Sequence, residues 1–298
     1  MKSSDRKTRL AALLALLDDP DRQVYEAVER ELLKASSPIV PDLEILWEKS
    51  YDEDVQTRLE NLIQRIHFEA NYKELRKWAR LDQPDLLDGF LLATRNQFAD
   101  LNEERMRRKI DEISRKVWLE LSNSLTALEK ITVLNHVFFN DFKFSADTIN
   151  YHNPQYCFIN KILETGIGNP LSIALLYAIV ANKLGLPVKY VDIPQYPLLA
   201  YVDHKVALKV HRHEVNTDVL FYIFPGKEGS ITGRRELEFH LRKMNFDLHD
   251  RFFEASTPQT FIRRLLEMTE KSYEINGFND KAQSILQMIR MLKPNRSK

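Results

Sequence analysis

The sequence predicts an α+β protein, mostly helical, in which one buried helix runs into a small antiparallel sheet. Seven of the eight glycines lie between Gly166 and Gly277 and only Gly89 precedes them, so the first half has little turn chemistry and reads as helices. Leu171 to Leu184 is almost continuously apolar, too apolar for a surface helix, and therefore predicts the central helix of its domain. Strand-like runs follow at Val188 to Ile193, Leu198 to Val202, Val206 to Val210 and Val219 to Phe224.

Taken in order, residues 1–66 read as a helical-repeat region. A shift of 31 residues places Val24, Val28 and Leu32 on Val55, Leu59 and Ile63, and Asp21 on Asp52. Each copy has an i, i+4, i+8 apolar stripe behind an acidic cap, as in a HEAT-type helical hairpin that must dock its stripe on a neighbour. Before it, a basic start and the run Leu10 to Leu17 imitate a secretory leader, but Asp18-Asp19-Pro20 follows without a small-residue cleavage pattern. Residues 67–150 continue helical, with apolar stripes over Leu86 to Ala93 and over Ile110, Ile113, Val117 and Leu121. Trp78 and Trp118 are expected in the core. The basic run Arg105 to Lys109 is flanked by acids and reads as a solvated helix face.

The bulk composition narrows the function classes. With 298 residues, 44% hydrophobic and 29% charged, the chain is globular and can bury one large core or two to three small ones. Lys plus Arg equals Asp plus Glu at 43 each, so no global field favours nucleic acid or an anionic membrane. No run approaches the ~20 apolar residues of a membrane helix. The single cysteine, Cys157, excludes an internal disulfide and a thiolate zinc site, which fits a cytoplasmic address.

The stretch from Tyr151 to Pro197 carries the most information. Gly166, Gly168 and Pro170 punctuate a turn, Pro170 suits the first position of a helix, and Gly185 suits its left-handed end. The transglutaminase core has Gly-x-Cys at the start of a buried helix and Gly-Ile/Leu-Pro fifteen residues beyond the Cys. Gly168-Asn169-Pro170 and Gly185-Leu186-Pro187 have that spacing, since 185 minus 170 is 15. Tyr151 to Pro154, Ile159-Asn160 and Gly168 to Ser172 are together similar to the pattern of the SirB-type transglutaminase-like family. The resemblance implies a helical N-terminal region, a transglutaminase-like domain over 67–250 with its core at 151–250, and a tetratricopeptide-like helical hairpin over 256–298.

That resemblance also implies where a Cys-His-Asp triad would lie, and the residues there are wrong for it. Pro170 stands at the thiol position. Pro194-Gln195-Tyr196-Pro197 is similar to the family's Pro-Gly-His-Phe and puts Tyr196 at the His; Ile223 to Gly229 is similar to Ile-Asp-Pro-Phe-x-x-Gly and puts Phe224 at the Asp. Acyl transfer needs a thiolate, a base and a group to orient the base, and none of the three can serve. Pro170, Tyr196 and Phe224 are expected to meet at one end of the buried helix, with Asn169, Ser172 and His204 around the same cleft. Cys157 reads as a buried small hydrophobe rather than a displaced nucleophile, and His211 and His213 as polar strand residues rather than metal ligands.

Two functions therefore compete. One is a non-enzymatic scaffold or regulator that binds a protein or peptide and carries no cofactor, no metal and no nucleic acid. The other is a remodelled cysteine- or serine-dependent amide hydrolase or acyltransferase using the same cleft.

Overall fold

A computed structural model describes residues 12–13, 16–17, 21–35, 37–210 and 217–292. The chain divides into two compact units, residues 1–77 and 78–298.

In the first unit, helix α1 (Arg22–Ala35), helix α2 (Val40–Lys49) and helix α3 (Glu53–Ala79, whose last two residues belong to the second unit) follow in chain order. The acids expected as caps serve as caps. Asp21 Oδ1 accepts from the Gln23 N–H at 2.8 Å, and Asp52 Oδ1 accepts from Asp54 and Val55 at 2.8 and 3.1 Å. Val28, Leu32 and Leu59 are buried with Leu43, Leu62 and Ile66 in one cluster, and Val24, Val55 and Ile63 pack on it half-buried.

The second unit opens with α4 (Leu86–Arg95), capped by Asp85 and buried on most of its surface. Helix α5 (Glu103–Glu120) follows, burying Met106, Ile110, Ile113 and Val117. Trp118 is 65% exposed, contrary to expectation. It follows Val117 by ~100° around the helix, off the buried stripe. Helix α6 (Ala127–Asn135) begins at a capping box formed by Thr126 and Glu129 and passes into a π-turn at His136–Asp141. Strand β1 (Ser145–Ala146) pairs in parallel with β2 (Ile167–Gly168), and the short α7 (Ile159–Thr165) lies between them.

Helix α8 (Pro170–Lys183) is the central element: every residue from Leu171 to Ala181 is buried. Its sequence has no polar face because it needs none. The sheet follows as a meander of β3 (Val188–Val191), β4 (Leu198–Val202), β5 (Val219–Phe224) and β6 (Ser230–Thr232), antiparallel throughout and in chain order. Tyr190 faces Leu199, Ala200 faces Tyr222, and Ile223 faces Ile231. Strand side chains alternate between two faces. On one face Val191, Leu198, Ala200 and Tyr222 form a cluster with Leu237 and Leu241 of α10 (Arg234–Lys243) and with Phe252 and Phe253. Helix α8 packs against β3 and β4, and its residues are not part of that cluster.

Val206 to Val210, expected as a strand, lies instead in a short helix, α9 (His204–Val210). The missed signal is Asp203, whose carboxylate accepts from the Val206 N–H at 3.0 Å and caps the turn. Two further helices close the unit, α11 (Pro258–Ile275) and α12 (Asn279–Leu292). Helix α11 is set into the core: Phe261 stacks on Tyr190 at 4.1 Å between ring centroids. Arg264 grips Asp192 through two bonds, Nε–Oδ1 at 2.6 Å and Nη2–Oδ2 at 3.0 Å. No helix among the described residues is long and apolar enough to cross a membrane.

Candidate functional site at the start of the buried helix

The chain reaches α8 through Gly166, which ends α7 in the left-handed region at φ 76°. Asn169 then caps α8, its Oδ1 accepting from the Ser172 N–H at 2.9 Å, and Pro170 occupies the first helical position. Asn169 and Ser172 are both fully buried. The Ser172 hydroxyl donates to the carbonyls of Tyr156 at 2.6 Å and Asn169 at 3.1 Å, so its proton is engaged by acceptors that cannot activate it. Its role is to tie α8 to the preceding turn.

Cys157 lies in the same polar pocket inside the core. It is 1% exposed, and Asn169 Nδ2 donates to its Sγ at 3.2 Å. Burial pushes the thiol up to about 11, against a smaller opposing pull from hydrogen bonds to Thr269, Ser272 and Asn169. A thiol held neutral and sealed from solvent is a structural side chain. Thr269 and Ser272, on α11, are functional neighbours that no local pattern around Cys157 announces.

Tyr196 and Phe224 do meet. Their rings lie 5.3 Å apart between centroids at 77°, an edge-to-face pair packed on the α10 side of the sheet, and burial raises the Tyr196 phenol. Phe224 shares the parity of Tyr222 along β5, so both point to that face. Pro170 sits at the start of α8 and is covered by the turn after Phe224: a Cβ added to Gly226 would lie 3.3 Å from the Pro170 Cβ. The ring pair and the proline thus flank one turn. In the loop before Tyr196, Gln195 holds φ at 60°, in the left-handed region.

His204 stands at the other end of β4 from Tyr196, separated by a five-residue strand, or roughly 16 Å at ~3.3 Å per residue. Its Nδ1 pairs with Asp218 Oδ1 at 2.5 Å on an exposed surface. His211 and His213 lie outside the described residues. Among the described residues no group of three His, Cys, Asp or Glu side chains is placed to hold a metal ion. Asn160 lines a separate cleft of about 450 Å³ with Gln97, Arg105 and Lys109.

A buried, mostly apolar helix that begins at an Asn169 cap leads into an antiparallel meander, an α+β core. The chain belongs to the transglutaminase-like superfamily, whose family model matches residues 104–267. Relatives agree over shorter stretches. A UPF0162 protein of Xylella fastidiosa is 26% identical over 125 residues, 38% of this chain and 41% of that protein. One from Pasteurella multocida is 31% identical over 104 residues, 35% of this chain and 39% of that one. F-box only protein 21 of Mus musculus is 31% identical over 71 residues, 24% of this chain and 11% of that protein. The match therefore spans about two fifths of the UPF0162 relatives. No solved structure matches the chain with significance.

Proposed function

We propose that this chain is a non-enzymatic binding module of the SirB-type branch, a cytoplasmic scaffold or regulator whose transglutaminase-like core recognises a protein or peptide. One observation carries the reading: every group that could replace the missing nucleophile at the start of α8 is sealed and committed. Cys157 is buried with its thiol pushed up to about 11, Ser172 is buried and donates to two carbonyls, and Pro170 has neither thiol nor hydroxyl. Tyr196 and Phe224 are packed against each other. The short match to F-box only protein 21, a small share of that longer protein, is what a portable module would give. In this reading the paired helices of residues 1–66 are HEAT-like and those of 256–298 tetratricopeptide-like.

The test is turnover by the purified full-length protein with amide and ester substrates and with amine donors. None is expected. Activity that disappears in Cys157→Ala or Ser172→Ala would overturn the reading in favour of the remodelled hydrolase or acyltransferase.

A further inference from the structure

The cleft of about 450 Å³ that Asn160 lines is walled by α5, by α7 and by the turn that leads into α5. Its volume is that of a small-ligand pocket. Phe98, Leu101 and Leu163 on its lining are half-buried, so apolar surface stays open to a guest. Four charged side chains share the lining, and two of them are committed elsewhere. Lys109 pairs with Glu112 at 2.8 Å and Glu164 with Lys161 at 3.1 Å. Asp100 and Arg105, both exposed, have no ion-pair partner among the described residues and do not pair with each other.

Asn160, near the start of α7, adds an amide. Its side chain makes no hydrogen bond among the described residues, and Oδ1 is shut off from solvent without a partner. A polar atom left in that state costs free energy that a hydrogen bond would recover. Because neither amide atom is bound, half a turn about χ2 exchanges oxygen and nitrogen without breaking a bond, and the amide can meet either an N–H or a carbonyl. An anion, a cation and an amide on one cleft match the three polar groups of a dipeptide: its ammonium, its carboxylate and its peptide bond. A free amino acid fits less well. It carries both charges on one carbon, whereas Asp100 and Arg105 are too far apart to pair; two extended residues separate the end charges by roughly 6–7 Å, at ~3.3 Å per residue.

We propose that this cleft binds a free-ended dipeptide with aliphatic side chains, its ammonium on Asp100, its carboxylate on Arg105 and its peptide group on Asn160. The proposal rests on the binding-module reading and names a small peptide as what is bound. It is tested with the full-length protein and Leu-Leu in a ligand-observed NMR titration at low ionic strength. Saturable binding with Kd of about 5 mM or tighter is expected. N-acetyl-Leu-Leu and Leu-Leu amide each lack one end charge. Each should bind about three- to fivefold more weakly, the range of an exposed ion pair. Asp100→Asn should erase the penalty of the acetyl group and keep that of the terminal amide, and Arg105→Gln should do the reverse. Asn160→Ala should weaken all three peptides alike. No saturable binding up to about 20 mM, equal binding of the blocked peptides, penalties that survive the charge substitutions, or an Asn160→Ala protein that binds Leu-Leu unchanged would each overturn the proposal. Failure to bind leaves the non-enzymatic reading standing. Release of free leucine in the same samples would overturn that reading instead.

Discussion

Cys157 shows how one residue's environment decides between two chemistries. The same thiol at an open helix start would be a nucleophile. Here it faces Asn169 from the cap of α8 and Thr269 and Ser272 from α11, and desolvation outweighs their hydrogen bonds. A thiol reagent should therefore leave the native protein unlabelled at neutral pH and label it fully in denaturant, as followed by mass spectrometry; rapid native labelling would contradict the burial. The sign of the pH effect follows. The thiol's native value, about 11, is above its ordinary 9.0, so its contribution to stability is complete below about pH 9 and is lost as pH rises through 11. The burial of Cys157 was legible in the sequence, but its polar neighbours were not, because Thr269 and Ser272 are more than a hundred residues away.

At the scale of elements, α8 was legible because burial on all sides leaves a continuous apolar run, and its start because Asn-Pro after a glycine is cap chemistry. Strands β4 and β5 were legible by composition. The α9 helix was not, because seven residues with apolar positions at 206, 207, 208 and 210 fit either period, and only the Asp203 cap decides between them. The site was half legible. Ring pairing of Tyr196 with Phe224 agrees with the motif spacing, but the face to which Phe224 points depends on the register of β5, which local sequence does not encode.

The turn between β5 and β6 is held by a contact of the same non-local kind. The Tyr177 hydroxyl of α8 donates to Asn135 Oδ1 at 2.7 Å, and Asn135 Nδ2 donates to the Gly229 carbonyl at 2.9 Å. Gly229 has φ 72°, and a Cβ there would lie 2.0 Å from Asn135 Oδ1. Gly229→Ala should destabilise the protein by about 2–4 kcal/mol, the sum of a left-handed backbone and a broken polar chain, measured by chemical denaturation. A loss below about 0.5 kcal/mol would show that the turn moves freely aside.

Over the whole second unit, α11 links elements far apart in the chain. Phe261 stacks on Tyr190, Arg264 binds Asp192, the Tyr273 hydroxyl donates to Gln97 at 2.6 Å, and Asn276 donates to the His152 carbonyl at 3.0 Å. These contacts place α11 in the core, and the family match, ending at residue 267, runs into the same helix. Helical periodicity revealed the apolar stripe of α11 but not its partner, since Tyr190 and Phe261 are 71 positions apart.

The chain-order meander of the sheet has a consequence for the route by which the molecule forms. Strands that pair only with their sequence neighbours close short loops, so β3 to β6 can assemble by successive hairpins at small entropic cost, whereas the Phe261–Tyr190 contact must wait for a loop of 71 residues to close. Docking of α11 then belongs after the rate-limiting barrier. Phe261→Ala should cost about 3–5 kcal/mol and show it as faster unfolding with a nearly unchanged refolding rate in stopped-flow experiments. Slower refolding by the same factor would instead put α11 in the nucleus. If docking is late, the sheet exists for a time without its last helix, with the Tyr190 edge open to any other strand in solution, and crowding by neighbouring chains becomes a hazard of folding rather than of the finished protein.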